Sequence, residues 1–146
     1  MRLLLALFCL FTALAARAEF IDIDNAELAK LSAAGVPVVD IRTAPEWVET
    51  GIVPGSHLLT FFDERGKADP DAWLAKAGTV AKPDAPIILI CRTGNRTKAV
   101  ANFLSQKVGY AKVYNVKNGI KDWIKEGRAT APGAPALTAC RAAKTC

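Results

Sequence analysis

From Phe20 to Gly127 the chain alternates short apolar runs with stretches whose apolar residues recur at helical spacing. That alternation predicts strands interleaved with helices, hence a wound α/β domain with a mainly parallel sheet. Phe20-Ile21-Asp22-Ile23 reads as a first strand, and Asp24 with Glu27 three residues on opens a helix through Leu28 and Leu31 that closes near Gly35. Val36 to Ile41 is a second strand. Thr43-Ala44-Pro45-Glu46 repeats the capping pattern and starts a short helix bearing Trp47 and Val48, which stops at Gly51. Ser56 to Phe62 reads as a third strand, and Asp69-Pro70 begins a helix bearing Trp73, Leu74 and Ala77 before Gly78. Four consecutive apolar residues, Ile87 to Ile90, suit a central parallel strand covered on both faces, and that strand ends at Cys91. Beyond Thr97, the positions Val100, Phe103, Leu104 and Val108 form one helical face with Gly109 at the C-cap place. Val113 to Val116 is a fifth strand, and a last helix with Ile120, Trp123 and Ile124 closes at Gly127. The three tryptophans share apolar helix faces and are expected in the core.

Both ends depart from this pattern. Residues 1–18 carry one early charge, Arg2, then an uncharged run of 14 residues from Leu3 to Ala16, then Ala16-Arg17-Ala18. The small-x-small close is that of a cleavable secretory signal peptide, and the run is short of the roughly 20 residues that span a bilayer. The expected localisation is periplasmic or secreted, with no stable membrane association after cleavage and with Cys9 discarded. Residues 128–146, rich in Ala, Pro and Thr, show neither period and are expected to form a flexible C-terminal tail on a domain of residues 19–127.

With 146 residues, 51% apolar and 23% charged, the chain fits one globular domain and excludes a disordered polyampholyte or a polytopic membrane protein. Loss of Arg2 and Arg17 with the leader leaves 17 basic against 14 acidic residues. Basic and acidic residues are interleaved throughout, which argues against a nucleic-acid partner; the small surplus favours a small anionic substrate. One histidine and no Cys-x2-Cys pair give zinc nothing to build on, and no glycine-rich nucleotide loop is present, so no metal or cofactor is implied.

The chemistry concentrates at Cys91-Arg92-Thr93-Gly94-Asn95-Arg96-Thr97, between the central strand and an amphipathic helix. In a wound sheet that junction lies at the carboxyl ends of the strands, where ligands bind. Backbone N–H groups of such a loop, with the positive end of the following helix, converge on an anion. The first such anion is the Cys91 sulfur, and positive charge at Arg92 and Arg96 favours its thiolate. Gly94 lets the loop reverse with positive φ, and Asn95 tolerates the same geometry. A buried strand-end cysteine with no chemistry is the plain alternative, but it does not call for two arginines, a Gly-Asn turn and a helix start within six residues.

These motifs resemble the single-domain rhodanese-like sulfurtransferases over residues 20–127. The resemblance rests on Val39-Asp40-Ile41-Arg42 with Glu46-Trp47 and Gly51, on the Cys91–Thr97 loop, and on Asn115-Val116-Lys117-Asn118-Gly119-Ile120 with Trp123 and Gly127. The short, exported form is similar to periplasmic rhodaneses of the phage-shock E type. The resemblance implies a five-stranded, mainly parallel sheet with helices on both faces. It implies a cysteine, matched by Cys91, that accepts sulfane sulfur from a small anionic donor such as thiosulfate and passes it to cyanide or a thiol. Arg92 to Arg96 match the cradling loop, and Arg42 matches an arginine near the substrate mouth. Asp40 and Glu46 are expected to be structural, Glu46 as a helix-capping residue.

The chain departs from the family at Gly51-Ile52-Val53-Pro54-Gly55-Ser56, where Ile52 replaces the familiar histidine. His57, the only histidine, starts a short strand and is expected to pack there rather than to act. Asn118-Gly119 stands where Gly-Gly is common. A Cys-based phosphatase or arsenate reductase is a competing reading, since related loops bind such oxyanions. Its Cys-x5-Arg pattern is not met, because Thr97 stands six residues after Cys91 and Arg96 one position early. A non-catalytic rhodanese-like binding module is the other alternative, weakened by the presence of Cys91. Cys140 and Cys146, six positions apart, most simply form a disulfide in an oxidising compartment; the alternative is that one resolves a persulfide on Cys91.

Overall fold

The computed structural model describes residues 19–146. The leader reading and Cys9 lie outside the described residues. Five strands occur at β1 (Ile21–Ile23), β2 (Val38–Asp40), β3 (His57–Leu58), β4 (Pro86–Ile90) and β5 (Lys112–Val116), all parallel in the order β1-β5-β4-β2-β3. Between and after them run α1 (Asn25–Ala33), α2 (Ala44–Thr50), α3 (Pro70–Val80), α4 (Asn95–Phe103), α5 (Gly119–Lys125) and α6 (Gly133–Ala143). The α/β class and its parallel sheet are as the hydrophobic pattern predicts.

The pleat of β4 explains the two-sided core. Ile87, Leu89 and Cys91 point to one face, against Trp73 of α3 and Val100 of α4. Ile88 and Ile90 point to the other, against Leu28 of α1 and Ile120 and Trp123 of α5. A strand buried on both faces needs apolar side chains at every position, hence the unbroken Ile-Ile-Leu-Ile run. The local start signals act as written: Asp24 accepts from the Glu27 N–H, Asp69 from the Ala72 N–H, and Thr43 with Glu46 closes a capping box. All three tryptophans are buried, at 2%, 4% and 7% exposure for Trp47, Trp73 and Trp123.

Boundaries differ where cooperation with neighbours decides them. Helix α3 runs through Gly78 to Val80, and α4 begins at Asn95 and widens into a π-helical turn over Leu104–Val108 before Gly109 caps it at φ 89°. His57 is exposed at the start of β3, because β3 is an edge strand paired only with β2; the expectation that it packs is corrected.

The larger correction concerns residues 128–146, which are not a structureless tail. Ile52 and Ala131 exchange backbone hydrogen bonds of 3.0 and 2.9 Å, and α6 then lies along α2. Gly133 permits the contact: a Cβ there would sit 1.8 Å from the Trp47 carbonyl oxygen. Ala136, Leu137, Cys140 and Cys146 cover Trp47, Ile52 and Leu58. Apolar positions at i, i+3, i+4 and i+7 thus do exist, but small residues carry them. Cys140 and Cys146 are joined as a disulfide, leaving Cys91 as the free cysteine among the described residues.

Candidate active site

Strand β4 delivers Cys91 to the carboxyl edge of the sheet, where its side chain is 1% exposed. Gly94 takes φ 90° and turns the chain into α4; Asn95 is already helical, so the reversal needs only the glycine. The turn aims the Gly94 N–H at Cys91 Sγ from 3.2 Å. Thr97, one turn into α4 and fully buried, places Oγ1 3.4 Å from the same sulfur and 3.1 Å from the Gly94 carbonyl oxygen. Arg92, Thr93 and Asn95 line the exposed side of the loop.

A second loop forms the floor. Gly119, at φ 64°, lets the backbone of Arg92 approach so closely that a Cβ would meet it at 2.4 Å, and a Cβ on Gly94 would stand 2.1 Å from the Lys117 carbonyl oxygen. Ile120 and Lys121 at the start of α5 donate their N–H groups to the Cys91 and Arg92 carbonyl oxygens at 2.9 and 3.1 Å. Those bonds tie the carbonyls of Cys91 and Arg92 to α5, while the Gly94 N–H is turned to the Cys91 sulfur. The pattern of the chain gives Asn118-Gly119 no part in the site; the available signal is an Asn-Gly pair in the short connection between β5 and α5.

The arginines divide differently from expectation. Arg42 is 1% exposed, and all five of its N–H groups are taken. Nε and Nη2 bind the Asp40 carboxylate, the latter at 2.7 Å; Nη2 also meets the Gly51 carbonyl, and Nη1 meets Thr50 Oγ1 and the Glu46 carbonyl. It cannot bind substrate without abandoning a buried carboxylate, so its anion-binding assignment is corrected to a structural one. Asp40, fully buried, spends its carboxylate on the Arg42 guanidinium and backbone.

Glu46 does more than cap α2. Its carboxylate accepts from the Thr43 N–H and hydroxyl at 3.1 Å and grips Arg96 through two bonds of 2.9 and 2.6 Å. Burial alone would raise its pKa, but the bonds from Arg96 and Thr43 bring it down from 4.5 to about 2. The same pairing holds Arg96 firmly protonated, with the Cys91 sulfur and Asp40 adding to that effect. Arg96 is thereby fixed beside the sulfur, while Arg92, exposed and with no side-chain hydrogen bond or ion pair, is the uncommitted guanidinium of the loop among the described residues.

A doubly wound parallel sheet whose central strand ends in a sulfur facing a glycine turn and a helix start defines a cysteine-loop α/β domain. Comparison with known proteins narrows the class: the rhodanese-like domain family matches residues 24–126, and the chain belongs to that family. A rhodanese domain-containing protein of Drosophila melanogaster is 36% identical over 98 residues, 63% of this chain and 86% of that one. The thiosulfate sulfurtransferase GlpE of Pseudomonas entomophila is 30% identical over 115 residues, 79% of this chain and 91% of that one. Among solved structures, a rhodanese-related protein from Thermoplasma volcanium superposes with a TM-score of 0.58 at 26% identity, covering 76% of this chain and 97% of that one.

Proposed function

We propose that this chain is a sulfurtransferase that carries sulfane sulfur on Cys91 as a persulfide, taking it from a small anionic donor such as thiosulfate. The observation that carries the reading is the Gly94 N–H donated to Cys91 Sγ, with Thr97 Oγ1 3.4 Å from the same sulfur, at the start of a helix. The Cys91 thiolate attacks the outer sulfur of thiosulfate, the donor's S–S bond breaks, and sulfite leaves with the electron pair. Cyanide or a thiolate then attacks the outer sulfur of the persulfide and returns Cys91 as thiolate. Thr97 suits both stages, since its hydroxyl donates to the Gly94 carbonyl when the sulfur is protonated and can turn to a sulfur anion. Arg92 attracts the donor dianion, and Arg96, held by Glu46, supplies fixed positive charge beside the sulfur. The sulfurtransferase name of a relative that this chain matches over most of its length supports the same reaction class.

Thiosulfate should add one sulfur, about 32 Da on a single nucleophile, and Cys91→Ser should abolish both the adduct and thiocyanate formation. Turnover by the serine variant would end the proposal, and hydrolysis of p-nitrophenyl phosphate in place of sulfur transfer would favour the phosphatase reading. Arg92→Ala should raise KM for thiosulfate about tenfold, roughly 1.4 kcal/mol, with less effect on kcat.

We also propose that the mature chain acts in an oxidising compartment outside the cytoplasm. The leader-like residues 1–18 and the Cys140–Cys146 bond support this. Mature protein from a periplasmic fraction should begin at Glu19; a cytoplasmic product retaining Met1 would refute it.

A further inference from the structure

Residues 128–146 lie outside the matched family segment and build one wall of a second cleft, about 560 Å³ in volume, beyond the β3 edge of the sheet. Aromatic side chains of Trp47, Phe61 and Trp73 line it from the domain, and Leu137, Arg141 and Cys146 line it from the α6 side. The volume is within the range of small-molecule sites. Through Cys146, the Cys140–Cys146 disulfide borders this space.

The placement of the disulfide is poorly suited to a staple. It spans a sequence separation of 6 at the end of α6, whereas α6 is anchored elsewhere by the Ile52–Ala131 bonds and the Gly133–Trp47 contact. Both cysteines are half-buried, and Cys146 lines the cleft itself. The surrounding charge is directional. Lys76 Nζ donates to the Cys146 carbonyl oxygen at 2.7 Å, while the lining side chains of Lys67 and Arg141 make no hydrogen bond or ion pair among the described residues. The two lining carboxylates are turned to backbone: Asp63 accepts from the Arg65 and Lys67 N–H groups and Asp69 from that of Ala72.

We propose that Cys140–Cys146 is a second reactive sulfur centre, exchanging with a small anionic thiol that enters this cleft. The thiolate attacks Cys146 Sγ; a new S–S bond forms as the Cys140–Cys146 bond breaks, and Cys140 departs as a thiolate that takes a proton from water. A second thiolate attacks the small-molecule sulfur of the mixed disulfide, the bond to Cys146 breaks, Cys146 departs as a thiolate and the small-molecule disulfide is released, so two thiols are oxidised for one protein disulfide reduced. Exchange rates follow access and the thiolate population near the bond, which Lys67, Lys76 and Arg141 raise for anionic thiols. Cys91, at the end of β4 and separated from β3 by β2, takes no part, so this centre stands independently of the sulfurtransferase reading.

The test uses the mature chain carrying Cys91→Ser, with glutathione as the anionic probe and cysteamine as a cationic one. Intact mass follows the reaction under native conditions, each rate divided by that on the urea-unfolded chain. The expected result is a single glutathione adduct mapping to Cys146, with the normalised glutathione rate at least tenfold above that of cysteamine. Arg141→Glu and, separately, Lys67→Glu should each cut that preference at least threefold with far-UV circular dichroism unchanged. Reaction only after unfolding, equal normalised rates for the two thiols, or a preference untouched by both charge reversals would overturn the proposal.

Discussion

The Cys91 loop and the C-terminal helix are both held through glycines that let backbone meet backbone, yet they belong to different levels of the structure. At the loop, Gly94 and Gly119 lock together connections that follow β4 and β5, two strands already paired in the sheet. At the C-terminus, Gly133 seats α6 on α2, a contact that exists only because the chain returns past Ile52 after the last strand. The first contact is part of the domain's own cooperative core. The second is an added layer, whose chief effect is to cover Trp47.

Breaking the loop should cost most. Gly119→Ala or Gly94→Ala adds a Cβ 2.1–2.4 Å from backbone atoms at positive φ, and each should destabilise by about 3 kcal/mol or more. Thermal unfolding and sulfur transfer should fall together; a variant with unchanged Tm and full activity would show that the two loops are not locked.

Removing the added layer should cost less and spare the chemistry. Deletion of 129–146 uncovers Trp47, Ile52 and Leu58, so a loss of about 2–3 kcal/mol in urea unfolding is expected, with sulfur transfer at 25 °C retained. Gly133→Ala should give a smaller loss, about 1–2 kcal/mol, by lifting α6 off the Trp47 carbonyl, with Trp fluorescence shifting to longer wavelength. Loss of activity with retained fold in the truncated chain would instead tie α6 to the Cys91 site.

The Glu46–Arg96 pair sharpens the comparison through pH. The folded pKa of Glu46, about 2, lies below its ordinary 4.5, so its stabilising contribution is full above pH 4.5 and is lost as pH falls toward 2. Allowing for partial exposure of the pair, that contribution is about 1–2 kcal/mol. Glu46→Gln should flatten stability over that window and lower kcat/KM about tenfold by releasing Arg96; an identical acid-unfolding profile would refute the role. The smallest effect is expected at His57: His57→Ala, on an exposed edge position, should change stability by less than about 0.5 kcal/mol and leave the pH profile of sulfur transfer unmoved.

What was legible along the chain was whatever depends on neighbours within a turn or two. The five strands and first five helices, the capping residues and the Cys91 loop are written in local spacing, because hydrophobic period, a cap and an αL glycine act over three to seven residues. The nearness of Cys140 and Cys146 was legible for the same reason. Helix α6 was not, since Leu137 is the one large side chain on an inner face otherwise made of Gly, Ala and Cys, which gives only a weak period; its stability comes from the tryptophan it covers rather than from its own composition.

The tertiary structure alone decided how the charges were used. Arg42 reads as a candidate anion binder until Thr50 and Gly51 close around it, and Arg96 meets Glu46 only because the fold brings together residues 50 positions apart. The role of Gly119 likewise required β4 and β5 to lie side by side, so that the loop after one strand could rest on the loop after the other. Sequence specified which groups could react. Sheet order then determined which of them were spent on one another and which, like Arg92, stayed exposed with no side-chain partner among the described residues, because long side chains choose partners by three-dimensional reach and burial rather than by distance along the chain.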